Sequence, residues 1–196
     1  MKQVADILSK KKRLDFWEVW VKKQATSPRR IALMIKKKEE LADHDTLTEV
    51  LNRRGFLNYL SLVAQLLCRS DQKMALMFVD IDKLKKINDT KGHSAGDKLI
   101  VHVAECLKNS IRVSDFIGRW GGDEFIVVLT GAQDRETIAK IIKRTILCLT
   151  RATSITIGVA FWDKKKNPLT LIEVTDQAMY KAKKAGRGKV FFVNEG

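Results

Sequence analysis

No stretch of this 196-residue chain comes near the roughly 18 uninterrupted apolar residues that a membrane span requires. The lysine-rich amino terminus also lacks the apolar run and small-residue cleavage site of a secretory signal, so a cytoplasmic location is the default expectation. Cysteine is scarce. Cys68, Cys106 and Cys148 stand far apart, each among apolar residues of an expected helix and without ligand-like pairing, which predicts three buried, reduced thiols. Positive charge, by contrast, is abundant: a formal net charge of +14 attracts any anionic partner, whether nucleotide, nucleic acid or acidic lipid. A nucleic-acid reader would carry a recognised module, or basic residues interleaved with stacking aromatics on one face. Neither pattern is present, so nucleic acid is not an expected partner.

At 45% hydrophobic residues the chain can bury a core, and its length favours one domain with a modest extension. Val4, Ile7, Leu8, Leu14, Trp17 and Val21 recur at helical spacing, with Lys10, Lys11, Lys12 and Lys22 mostly elsewhere, which reads as a basic amphipathic helix. Ser27 and Pro28 suit the cap and first position of a second helix reaching Ala42. Together, residues 1–42 are too short for a domain with its own core. They read as a segment for dimerisation or for docking a regulatory protein, and Trp17 and Trp20 beside the lysines leave membrane-surface contact open. From Asp43 onward helices and strands alternate, predicting a layered domain over 43–196. Helices are expected at 53–69, 96–111, 135–150 and 169–185, and strands at 74–80, 116–120, 125–129, 154–161 and 189–193.

Two acidic clusters fall at strand ends. Asp123 and Glu124 follow Gly121 and Gly122 between two apolar runs, the clearest hairpin signal in the chain, with glycines suited to backbone conformations closed to other residues. Asp80 and Asp82 end the apolar run from Met74 to Val79, where a neighbouring strand could bring them against the hairpin. Carboxylates gathered without a cation would repel and raise one another's pKa. Hard oxygen ligands suit Mg²⁺, whose remaining positions a nucleotide's phosphates would complete, and paired metals can activate an attacking oxygen and stabilise a leaving one.

The hairpin Gly121-Gly122-Asp123-Glu124-Phe125 is identical to the signature that names the GGDEF family of diguanylate cyclases. The chain also resembles that family at Asp45, Leu47, Thr48, Asn52, Arg53 and Arg54, and at Asp80 to Asp97. Tyr180, Ala182, Lys183, Gly186 and Arg187 match its closing block. The resemblance implies an α+β, palm-like (nucleotide-cyclase-like) fold, with a central, mostly antiparallel five-stranded sheet flanked by helices. It implies condensation of two GTP into cyclic di-GMP, dependent on Mg²⁺ (or Mn²⁺), in a homodimer whose partners each bring one GTP. Asp80, the Ile81 carbonyl and Asp123 would hold the metals, with Glu124 completing the acidic site. Asn88 and Asp97 would read guanine, since an amide and a carboxylate can satisfy its edge. Lys85, Lys183 and Arg187 would bind and neutralise the triphosphate, helped by backbone amides around Lys83 and Leu84. Leu84 departs from the family's usual Phe and is expected to pack beneath the phosphate loop.

Arg112 and Asp115 match the family's inhibitory Arg-x-x-Asp site, which implies product inhibition by cyclic di-GMP; the alternative is a helix-end salt bridge. His93 is expected to be a structural loop residue, and His44 and His102 ordinary surface or packing residues. Two other functions remain open: a noncatalytic module sensing GTP or cyclic di-GMP, against which the intact Asp123 and Glu124 argue, and a cyclase making a mixed-base product, against which Asp97 argues.

Overall fold

A computed structural model describes residues 42–68, 70–132, 134–149 and 153–193. The two expected amino-terminal helices, with Trp17, Trp20 and the surrounding lysines, lie outside the described residues. The chain divides into two units, Met1–Ala42 and Asp43–Gly196, and the elements that follow belong to the second.

β2 (Met74–Ile81) is the centre of the fold, and all eight of its residues are buried. The continuous apolar run Met74–Val79 within it suits a strand covered on both faces. It pairs antiparallel with β4 (Glu124–Thr130) on one side and with β5 (Ile155–Phe161) on the other. β3 (Phe116–Arg119) forms the hairpin with β4. The sheet is completed by two short parallel edges, β1 (Leu51–Asn52) beside β3 and β6 (Val190–Phe192) beside β5. Among the described residues it has six strands in the order β1-β3-β4-β2-β5-β6, one more than expected. The additional strand has two residues, too few for any alternation to register in the sequence.

Alternation along β2 sends its side chains into two cores. Ala75, Met77, Val79 and Ile81 pack with residues of α3 (His93–Ser110) and α4 (Arg135–Leu149). Leu76 and Phe78 face the opposite way, toward residues of α1 (Arg53–Leu67) and α5 (Thr170–Lys184). Asn52 caps α1, accepting a hydrogen bond from the Gly55 amide at 3.0 Å, and Asp134 accepts from the Thr137 amide at 2.7 Å at the start of α4. A short helix absent from the expected set, α2 (Leu84–Lys91), directly follows β2, and α3 starts at His93 rather than Gly96. His93 is thus a helix residue, not a loop residue.

The cysteine expectation is overturned. Packing of α3 beside α4 brings Cys106 and Cys148 together, 42 residues apart in the chain, as a disulfide, while Cys68 is exposed. Linear distance hid the pair, because the two positions meet only once the helices lie side by side on the sheet. Among the described residues no helix is long and apolar enough to cross a membrane.

Candidate active site

Asp80, the penultimate residue of β2, lies directly opposite Glu124, the first residue of β4. The buried apolar runs on both strands fix this register, since a slip by one residue would turn every core side chain to the wrong face. Asp123 closes the hairpin, and its carbonyl accepts a hydrogen bond from the Ile81 amide at 3.0 Å, so the turn is tied to the end of β2. Lys183, in the last turn of α5, donates to Asp80 Oδ2 at 2.6 Å; the Asp80 side chain is only 7% exposed.

Burial pushes the Asp80 carboxyl above its usual range; the Lys183 hydrogen bond and charge offset part of this, and the charges of Asp123 and Asp82 add to it. Glu124 is raised by the same causes, burial first and then the neighbouring Asp123 and Asp80. The cluster thus carries an unmet demand for positive charge that one lysine only partly satisfies. Among the described residues no three His, Cys, Asp or Glu side chains form a metal shell on their own. Paired carboxylates needing only further oxygen donors fit a hard divalent cation.

The turn glycines act differently from expectation. The glycines with positive φ are Gly92, Gly131, Gly186 and Gly188, not Gly121 or Gly122. Gly121 instead provides space: a Cβ there would lie 2.7 Å from Glu124 Oε2, whereas one on Gly122 would meet nothing within 4 Å.

Asp82, grouped with Asp80 by its spacing, is not part of the open acidic cluster. It is buried and already filled with donors: Ser154 Oγ at 2.6 Å, Thr156 Oγ1 at 2.7 Å and the Gly188 amide at 2.9 Å. Arg187 Nε lies 3.9 Å from the same carboxylate, and the Arg187 side chain is 60% exposed.

Lys83 has φ of 60° and its side chain makes no capping hydrogen bond to α2, so the first amides of that helix lack a side-chain cap. Leu84 is buried in the core, while Lys85 is exposed on the helix. Further along α2, Asn88 Oδ1 is buried without a hydrogen-bond partner. Gly96 of α3 makes room for it, as a Cβ there would come within 1.8 Å of that oxygen. Asp97 follows on α3 and is exposed. The two expected guanine readers therefore sit on helices that touch at Asn88 and Gly96.

Asp115 serves the turn that holds it. Its carboxylate accepts from the Arg112 amide at 2.9 Å and from the Thr130 amide at 2.9 Å, which ties the loop to the end of β4. The Arg112 side chain is exposed, and the salt bridge to Asp115 considered as its alternative role is not among the ion pairs of the described residues.

Two supports had no reading in the sequence. Arg119 donates to both Asp45 oxygens, at 3.2 and 3.3 Å, and to the Gly122 carbonyl at 2.8 Å, bracing the acidic turn against the start of the domain. The hydroxyls of Ser154 and Thr156 anchor Asp82. An arginine inside the strand Phe116–Arg119 was the only signal of the first, and Ser-Ile-Thr spacing at a strand entrance the only signal of the second.

The family model described as diguanylate cyclase, GGDEF domain, matches residues 42–189, and the chain belongs to that family. Diguanylate cyclase DosC of Escherichia coli K12 is 35% identical over 166 residues, covering 78% of this chain and 36% of DosC. Diguanylate cyclase TpbB of Pseudomonas aeruginosa UCBPP-PA14 is 35% identical over 158 residues, covering 75% of this chain and 36% of TpbB. The chain thus spans about a third of the length of the curated relatives it matches. The solved GGDEF domain of TpbB from P. aeruginosa PAO1 superposes with a TM-score of 0.72 at 33% identity, covering 77% of this chain and 94% of that one. Diguanylate cyclase SiaD of P. aeruginosa, solved with its activator SiaC, gives a TM-score of 0.73 at 27% identity, covering 96% of this chain and 78% of that one.

Proposed function

We propose that this domain condenses two GTP molecules into cyclic di-GMP and two pyrophosphates, as one half of a homodimer. The observation that carries the reading is the pairing of Asp80 and Glu124 across two strand ends, with Asp123 next to Glu124 in the β3–β4 turn and a lysine amine already on Asp80. In each of two steps a 3′ oxygen of one GTP bonds to the α-phosphorus of the other, the bond to the departing pyrophosphate breaks, and the 3′ hydroxyl loses its proton. Each domain binds one GTP, so two domains must face each other.

Asp80, the Ile81 carbonyl and Asp123 would hold Mg²⁺, or Mn²⁺ in its place, with Glu124 adding negative charge. When bound, the metal supplies charge neutralisation at the triphosphate and a more acidic 3′ hydroxyl. Lys183 and Arg187 stabilise charge developing on the leaving pyrophosphate, Lys85 reaches the phosphates from α2, and the amides after Lys83 add hydrogen bonds. The unpartnered Asn88 oxygen and the Asp97 carboxylate read the guanine edge, favouring GTP over ATP.

The deciding experiment incubates the purified protein with GTP and Mg²⁺ beside an Asp123→Ala variant, and resolves products by mass. Cyclic di-GMP from the wild type alone is the expected result. GTP or cyclic di-GMP binding without turnover would replace this reading with a sensing module, and a mixed adenine-guanine product would replace the substrate assignment.

Arg112 and Asp115 are proposed to bind the product. Their exposed arginine can stack on a base and grip a phosphate. An Arg112→Ala enzyme is expected to keep its initial rate and to lose inhibition by added cyclic di-GMP. Inhibition equal to wild type would remove the site.

A further inference from the structure

We infer that Asp82 is a positioning residue for the triphosphate, acting through Arg187; the inference rests on the GTP-binding role proposed above. Gly186, Arg187 and Gly188 have φ of 111°, 33° and 64°, three consecutive residues in the left-handed half of backbone space. For arginine that conformation is costly and persists only where its surroundings enforce it. The enforcing group is Asp82. Its Oδ2 takes the Gly188 amide at 2.9 Å and the Ser154 hydroxyl at 2.6 Å, while Oδ1 takes the Thr156 hydroxyl at 2.7 Å. Thr156 Oγ1 also accepts from Gly188, at 3.0 Å.

The same residue is pinned through its backbone. The Asp82 amide donates to the Ser154 carbonyl at 3.0 Å, and the Thr153 hydroxyl donates to the Asp82 carbonyl at 3.3 Å. One buried carboxylate thus joins the end of β2, the entrance of β5 and the loop after α5. It also faces the Arg187 guanidinium at 3.9 Å, near enough to aim it without the close pairing that would consume it. Asp80, two residues earlier and inside β2, is held by Lys183 from the same helix that leads into this loop. Asp82 therefore sets where one triphosphate cation stands relative to the carboxylates of the site.

An asparagine at this position keeps the shape but cannot satisfy all three donors. With its Oδ1 in the place of Oδ2 it still accepts from Gly188 and Ser154, more weakly than a carboxylate, but its NH₂ then faces Thr156, whose hydroxyl must turn to accept, and the charge that faces Arg187 is gone. The test measures binding of 3′-deoxy-GTP, which lacks the attacking hydroxyl and so cannot turn over, with Mg²⁺ by calorimetry. Asp82→Asn, Arg187→Ala, the double variant and Ser154→Ala are compared with wild type. Asp82→Asn is expected to weaken binding about tenfold, the ratio that corresponds to about 1.4 kcal/mol, and the double variant to bind no more weakly than Arg187→Ala alone.

Ser154→Ala, which removes one donor and leaves the carboxylate, is expected to show a smaller loss in the same direction and stands in if the asparagine variant does not fold. Faster hydrogen exchange at the Gly188 amide is expected in both Asp82→Asn and Ser154→Ala, and a role confined to core stability would not localise exchange there. Unchanged affinity in Asp82→Asn and Ser154→Ala, or losses that multiply in the double variant, overturns the inference and leaves the GTP reading intact. A wild-type protein that binds no 3′-deoxy-GTP overturns both.

Discussion

An Asp80→Asn enzyme is expected to form cyclic di-GMP roughly 10²–10³-fold more slowly than wild type at saturating GTP, the usual scale for removing one electrostatic group from a reacting centre. The substitution preserves volume and leaves the β2–β4 and β2–β5 ladders untouched, because those use backbone atoms. What it removes is the negative charge that holds Lys183 at 2.6 Å and that is proposed to hold the metal. Stability is expected to change little, since burial already works against the ionised form of Asp80 and a neutral amide avoids that cost. The check is an initial-rate assay across a Mg²⁺ titration, with a thermal melt as a folding control. A rate within tenfold of wild type at ordinary Mg²⁺ would exclude Asp80 from the metal-holding group.

Replacing Gly158 by alanine is expected to destabilise the domain by about 3 kcal/mol or more, at the upper end of overpacking effects. Gly158 lies in the middle of β5 where α5 crosses it. A Cβ there would come within 2.3 Å of both the Met179 nitrogen and the Thr175 carbonyl oxygen. Both obstacles are backbone atoms, so relief requires moving the helix off the sheet rather than turning a side chain. For a domain of this size that corresponds to a fall in melting temperature on the order of 10 °C. Gly122→Ala is the control, as its Cβ meets nothing within 4 Å, and its melting temperature is expected to stay close to wild type. A Gly158→Ala protein melting with the control would mean that α5 can shift at no cost, and with it the reach of Lys183.

Much of this domain is legible in its residues because the signals are local. The run Met74–Val79 is apolar throughout and makes up most of a strand covered on both faces. The glycine-bounded hairpin at Gly121 and the helical periodicities after Arg53, Arg135 and Leu169 all lie within a few residues of where they were expected. The helix Leu84–Lys91 was missed because its polar, lysine-rich sequence has Leu84 as its one buried residue, leaving no apolar stripe to read. Strand β1 was missed because two residues carry no period. The same locality explains the misjudged side chains. Asp80 and Asp82 look equivalent two positions apart at one strand end, yet one faces Lys183 and the hairpin while the other is enclosed by Ser154, Thr156 and Gly188.

The sequence by itself determined the family and the order of most elements, since both are written in residue types and short spacings. It also marked which carboxylates, amides and cations to watch. Only the tertiary structure decided which of them meet: the Asp80–Glu124 register, the Cys106–Cys148 disulfide, the brace from Arg119 to Asp45, and the burial of Asp82 beneath the Arg187 loop. Each joins segments distant in the chain, and such contacts follow from how helices and strands close around the core rather than from the neighbours of any one residue.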